Sequence, residues 1–219
     1  MMTVTKVCFG QLFDGPNMLD LKLFLQSTTN RIIILTVICF VLTQALFAGA
    51  PNSFELYSWK TGYFGLWQLM THMFLHGGFT HLLFNMLGLW FFGQVLERVW
   101  GGSRLLAFYL LCGVGAAVIS QLVDHHLLNQ ISGRMVGASG AIYGILVAFA
   151  MLFPNQKIML IFLPVPIPAK IFVPILLLID LTGGITGFSI FGGNIAHFAH
   201  IGGAIIGFVL CLAWKKKLI

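Results

Sequence analysis

The amino-acid sequence predicts an all-α membrane protein, a bundle of six transmembrane helices with an interfacial first outer loop. Three observations predict it. Hydrophobic residues make up 58% of the 219 positions and charged residues only 8%, against about 25% charged in soluble domains, which leaves too little polar surface to coat a globule in water. The apolar residues gather into six runs, at 31 to 49, 79 to 99, 104 to 123, 139 to 153, 168 to 184 and 195 to 214, each near the ~20 residues that cross a bilayer. With both termini in the cytoplasm, ten of the twelve Lys and Arg residues fall inside and only Lys60 and Arg134 outside, the arrangement the positive-inside rule favours.

Residues 1 to 30 form an N-terminal cytoplasmic or interfacial segment. Apolar residues alternate with Asp20 and Lys22 between Leu19 and Leu25, a pattern open to an interfacial helix, a strand-like stretch or a disordered tail. The first long apolar run begins only after Arg31 and further spans follow, so no cleavable signal peptide is expected. Residues 31 to 214 make one membrane domain, and 215 to 219 a short basic cytoplasmic tail whose Lys215, Lys216 and Lys217 suit a headgroup anchor.

Between the first two spans, Pro51 to Gly78 holds Tyr57, Trp59, Tyr63 and Trp67, amphipathic aromatics that favour the membrane interface on the outer side. Pro154, Pro164, Pro166 and Pro168 forbid a continuous helix between spans four and five, so a kinked inner connection is expected there. Five glycines between Gly183 and Asn194 make the last outer link adaptable. Cys8, Cys39, Cys112 and Cys211 are scattered with no metal-type spacing and read as buried thiols. The formal charge of +6 comes with no basic stripe interleaved with aromatics, so the bilayer, not nucleic acid, is the expected partner.

Spans two, four and six all run from outside to inside, so depth can be counted back from their inner ends. Ser139 lies 15 residues before Pro154, His200 15 before Lys215, and Asn85 13 before Arg98, or about 20 to 23 Å at 1.5 Å per residue. All three therefore sit at one level, roughly 7 to 10 Å below the outer edge of a 30 Å hydrocarbon core. A serine and a histidine opening two apolar helices at matched depth look like a nucleophile and its general base. Gly140 and Gly144 in span four, and Gly203 and Gly207 in span six, are each four apart and give small faces that let the two helices approach. His81 and Asn85 share a face of span two and suit either of two roles, donors to an oxyanion beside the Ser139 backbone N–H, or a hydrogen-bonded pair tying helices together.

Other polar residues were weighed for chemistry. His72, His76 and His81 raise the question of zinc, but no His-Glu-x-x-His run accompanies them, and no metal or other cofactor is expected. His125 and His126 read as residues of a wet outer loop, and His197, one turn before His200, as solvent-accessible; none is given a chemical role. Asp180, near the outer end of span five, reads as a hydrated residue, because a Ser–His dyad needs no acid where packing holds the imidazole. Gly140-Ala141 follows Ser139, so the nucleophile elbow of soluble hydrolases is not matched.

Trp67 to His76 (WQLMTHMFLH), His81 to Asn85 (HLLFN), Glu97, Gly137 to Gly140 (GASG), Tyr143 and Ala199 to Gly207 (AHIGGAIIG) occur in this order. Together they resemble the rhomboid intramembrane serine proteases over about residues 60 to 210. The resemblance implies that Ser139 is the nucleophile, His200 the general base, His81 and Asn85 the oxyanion donors, and Tyr143 a support stacked on the imidazole. It implies a serine endopeptidase of the cell membrane, acting without a cofactor on the transmembrane helices of protein substrates near their outer ends, with span five and the loop after it as gate. Trp67-Gln68 stands where the family's first loop often has Trp-Arg, so the usual loop-anchoring network is not carried over. A transporter or channel is the rival reading, but inverted repeats and paired broken helices are missing from the sequence. A non-catalytic rhomboid-like protein that captures membrane helices is the other, and it would be expected to lack the serine or the histidine.

Overall fold

The computed structural model describes residues 22, 24–47, 52–126, 134–160, 163–187 and 196–215. The expectations for residues 1 to 21, for the gate loop beyond Gly187 and for the tail after Lys215 lie outside the described residues. Six helices carry the fold: α1 (Thr28–Phe47), α2 (Phe79–Trp100), α3 (Gly102–His126), α4 (Ser139–Leu152), α5 (Ala169–Thr186) and α6 (His197–Lys215). All but α4 are long and apolar enough to cross a membrane. The 14 residues of α4 span only about 21 Å, and nine of them are buried, so this short helix is the centre around which the others stand.

Glycine puts α4 and α6 in backbone contact. A Cβ on Gly203 would overlap the Gly140 carbonyl oxygen, and one on Gly207 would come within 2.6 Å of Gly144 Cα. Two helices with no side chain between them gain close dispersion contact along their length. Gly140 also abuts Ala116 of α3, and Phe108, Tyr109 and Cys112 of α3 are fully buried in the same core as Ile145 and Ala148. Trp100, Phe108 and Trp214 close one end of that core with ring centroids 5.0 to 5.8 Å apart.

Polar caps join the outer members. Glu97 of α2 accepts from the Thr28 and Thr29 backbone N–H groups at 2.6 and 3.0 Å and from the Ser27 and Thr29 hydroxyls. One carboxylate thus satisfies amides that the start of α1 would otherwise leave unpaired. Within α2 the α-helical ladder widens to a π turn over Leu89–Gly93; at Gly101, where φ is +80°, the chain turns into α3.

Two segments differ from the sequence reading. The connection after α4 is not simply kinked: β1 (Lys157–Leu160) and β2 (Leu163–Pro168) pair antiparallel, Lys157 opposite Pro168 and Ile158 opposite Ile167. Proline is tolerated because each strand of a two-stranded ribbon has a free edge. His125 and His126 are not in a loop but stack in the last turn of α3, ring centroids 4.6 Å apart.

The loop between α1 and α2 is anchored by Gln68, which is fully buried. Its side chain accepts from the Tyr57 N–H at 3.1 Å and donates to the Ser53 and Tyr63 carbonyls. An amide at this position thus builds its own loop-anchoring network. Tyr63, Leu66 and Trp67 project outward from the loop. Leu56 and Met135 exchange two backbone hydrogen bonds at 3.0 and 2.9 Å, with an Arg134–Glu55 ion pair beside them at 3.1 Å. The loop is thereby stitched to the segment that leads into Ser139.

Candidate active site

Ser139 is the first residue of α4, where backbone N–H groups have no partner within the helix. Ahead of it the chain passes through Gly137 at φ +124°. A side chain there is excluded twice, by this left-handed backbone and by the His81 ring, which a Cβ would meet at 2.7 Å. His81 therefore stands directly over the peptide that enters α4. The Gly137 N–H donates to the His72 carbonyl at 2.9 Å, which fixes that peptide from the loop side.

His200 lies in the first turn of α6, and its Nε2 is 2.8 Å from Ser139 Oγ. The glycine contact between α4 and α6 sets this distance. Tyr143, one turn into α4, lies face to face on the His200 imidazole, ring centroids 4.3 Å apart and planes within 9°. Asn85 is buried, and its side-chain amide donates to the His81 carbonyl at 2.8 Å. Of the residues singled out in the sequence, Ser139, His200 and Tyr143 converge on one point and His81 borders it, while the described hydrogen bond of Asn85 turns back onto its own helix.

Two further residues complete the cluster. Asp180 of α5 is not hydrated but buried. Its Oδ1 accepts from Nδ1 of His200 at 2.9 Å and from Nδ1 of His197 at 2.7 Å, and its Oδ2 accepts from the Tyr143 hydroxyl. A proton on His200 Nδ1 leaves Nε2 free to accept from Ser139, which is the tautomer a general base needs. A signal was in the sequence: a carboxylate four residues before the end of the predicted fifth span at residue 184 stands about 6 Å into that span, where an unpaired charge is costly.

Outside the cluster, His72 and His76 are buried in the loop that backs His81. The His72 Nδ1–H donates to the Gln68 carbonyl at 2.8 Å. His76 packs edge-on against His81, centroids 5.0 Å apart. Burial lowers the pKa of His72 to about 4, and burial with His81 nearby lowers that of His76 to about 3, so both imidazoles are neutral at physiological pH.

Comparison with known proteins points to one family. The model of the Rhomboid domain family matches residues 63–216. Rhomboid protein 1, mitochondrial, of Saccharomyces cerevisiae is 34% identical over 134 residues, 61% of this chain and 38% of that protein. RHOMBOID-like protein 4 of Arabidopsis thaliana is 37% identical over 144 residues, 66% of this chain and 33% of its own length. Rhomboid protease GluP of Bacillus subtilis is 34% identical over 148 residues, 67% of this chain and 26% of its own. The chain thus spans about a quarter to two fifths of the length of these relatives.

Proposed function

Because the chain belongs to the rhomboid family, we propose that it is a serine endopeptidase that hydrolyses a peptide bond in or beside the outer end of a substrate's transmembrane helix. One observation carries the reading: the Ser139 hydroxyl and the His200 imidazole share a hydrogen bond of 2.8 Å inside an integral membrane bundle, where buried polar groups are costly without a purpose.

In the proposed reaction His200 Nε2 takes the Ser139 proton as Oγ attacks the substrate carbonyl carbon. The carbonyl oxygen becomes an oxyanion, held by the Ser139 backbone N–H, His81 and Asn85. Collapse of the tetrahedral intermediate breaks the C–N bond, and the departing amine takes the proton from His200. A water then attacks the acyl-enzyme, giving its proton to His200, and its collapse returns that proton to Ser139. Asp180 holds the imidazole in the useful tautomer and balances the positive charge it carries in each transition state, while Tyr143 fixes its plane. Since a helix conceals its carbonyls in hydrogen bonds, a good substrate carries helix-breaking residues near the cut. The proposed setting is the cell membrane, with both termini cytoplasmic and Ser139 in the outer half of the bilayer.

The test is a fluorophosphonate probe on detergent-purified protein, with the adduct mapped by mass spectrometry. Labelling at Ser139 that vanishes in Ser139→Ala and in His200→Ala is expected. Folded protein that admits the probe yet gives no adduct would favour a non-catalytic helix-binding or transport role.

A further inference from the structure

We propose that the side of the His200 imidazole turned away from Ser139 is a transition-metal site, where Zn²⁺ held by His197, His200 and Asp180 reversibly silences the serine. The silencing rests on the protease reading above; the binding does not. One ligand atom from each of His197, His200 and Asp180 lies within 4.8 Å of the other two, and Nδ1 of both histidines faces Asp180 Oδ1. Two imidazole nitrogens and one carboxylate oxygen are a donor set that zinc accepts readily, with a fourth position left for water. One turn of α6 presents both histidines, and α5 supplies the acid.

The cluster is built rather than incidental. Asp180 is 7% exposed and each histidine 12%. The Tyr143 hydroxyl occupies Oδ2 of Asp180, which leaves Oδ1 turned toward both histidines, the kind of outer support that orients a ligating carboxylate. The N···O separations are 2.7 and 2.9 Å. Opening them to the ~3.3 Å edge of a tetrahedron with ~2.0 Å bonds requires shifts of roughly half an ångström.

The consequence for the serine follows from the tautomer. A neutral imidazole ligating metal through Nδ1 carries its proton on Nε2. On zinc binding the proton of each histidine leaves Nδ1 and reappears on Nε2, so no net proton is released and no bond forms to Ser139. His200 then faces Ser139 Oγ with an N–H, a donor where a base must accept. The hydroxyl cannot be activated until the metal leaves.

The experiment uses tag-free full chain in detergent. Co²⁺ is titrated as the visible-absorbing probe and displaced by Zn²⁺, and fluorophosphonate labelling of Ser139 is followed with zinc and after EDTA. We expect one Co²⁺ per chain with tetrahedral bands. Affinity should be at least tenfold weaker in His197→Gln and unchanged in the His125→Gln/His126→Gln double variant. Zinc should suppress labelling more than tenfold, with recovery after EDTA. Absence of binding overturns the inference, as does binding that survives His197→Gln and is lost in the double variant. If His197→Gln does not fold, X-ray absorption on zinc-loaded wild type decides: nitrogen and oxygen donors at about 2.0 to 2.2 Å support the site and a thiolate sulfur overturns it. Tight binding that needs His197, in protein that never labels with or without zinc, supports the metal site and sinks the protease reading.

Discussion

Tyr143 and His200 lie face to face, ring planes within 9° and centroids 4.3 Å apart, while the same tyrosine's hydroxyl donates to the carboxylate that holds the other edge of the imidazole. One side chain thus restrains the plane of the ring directly and its rotation indirectly. The two restraints are separable. In Tyr143→Phe the stack remains and the bond to Asp180 is lost, so labelling of Ser139 should fall about ten- to a hundredfold, the worth of one bond to a charged group at about 1.5 to 3 kcal/mol. In Tyr143→Ala both restraints go, and a further fall of about two- to tenfold is expected from loss of the stack, at about 0.5 to 1.5 kcal/mol. Equal rates in the two variants would show that the ring face does not matter.

Asp180 should matter through His200. Asp180→Asn is expected to slow labelling by about two to four orders of magnitude, the range over which removing the orienting carboxylate acts in Ser–His–Asp sites. The melting temperature, read in parallel, should move by only a few degrees, and Asp180→Glu should recover part of the rate. A rate within twofold of wild type would mean that packing alone holds the imidazole.

What could be read in the sequence and what could not divides along a physical line. Ser139 and His200 were legible because each sits within a glycine-bearing signature at the mouth of an apolar run, and rise per residue gives depth without coordinates. Asp180 was harder. Depth counting places it about 6 Å into its span, but whether a carboxylate there meets water or an imidazole depends on how α5 rotates about its axis, which composition does not encode. The hairpin of Lys157–Leu160 and Leu163–Pro168 was hidden for a related reason: its prolines exclude a helix but do not say that two short segments will pair. Gln68 misled because the family's residue there carries a charge, whereas the loop needs only a donor and an acceptor at that point.

Gly203→Ala tests the helix contact that sets the Ser139–His200 distance. The new methyl would meet the Gly140 carbonyl oxygen, backbone that has no rotamer to yield, so the cost should reach the upper part of the ~1 to 3 kcal/mol range for overpacking. Thermal unfolding in detergent should show a clear drop, and labelling should fall with it because α6 must move away from α4. Gly62→Ala, with nothing within 4 Å of the new carbon, is the control and should be silent.

Acidification should loosen the loop between α1 and α2. His72 and His76 have folded pKa values of about 4 and about 3, below the ordinary 6.5, because burial disfavours their charged forms. Above pH 6.5 both are neutral whether folded or unfolded and neither affects stability. As pH falls below 6.5 the unfolded chain takes up protons that the folded one refuses, and stability declines by about 1.4 kcal/mol per pH unit for each histidine. The decline ends for each where its folded pKa is reached. Melting temperatures measured from pH 7.5 down to pH 5 should therefore fall, and His76→Phe should flatten the slope by about half. A slope unchanged in that variant would assign the acid sensitivity elsewhere.

The backbone contact between α4 and α6 has a mechanical corollary. Ser139 and His200 ride on two helices that touch peptide to peptide, so their separation inherits the stiffness of covalent geometry, and repacking of lipid-facing side chains has little purchase on it. The carboxylate rides on α5, whose outward side is clothed in Ile175, Leu178, Leu181 and Ile185 and answers to whatever surrounds it. Changes in acyl-chain length or lateral pressure should then register first in the coupling of Asp180 to His200 and only later in that of His200 to Ser139. The Asp180 carboxylate would then respond to the bilayer before the Ser139–His200 pair does.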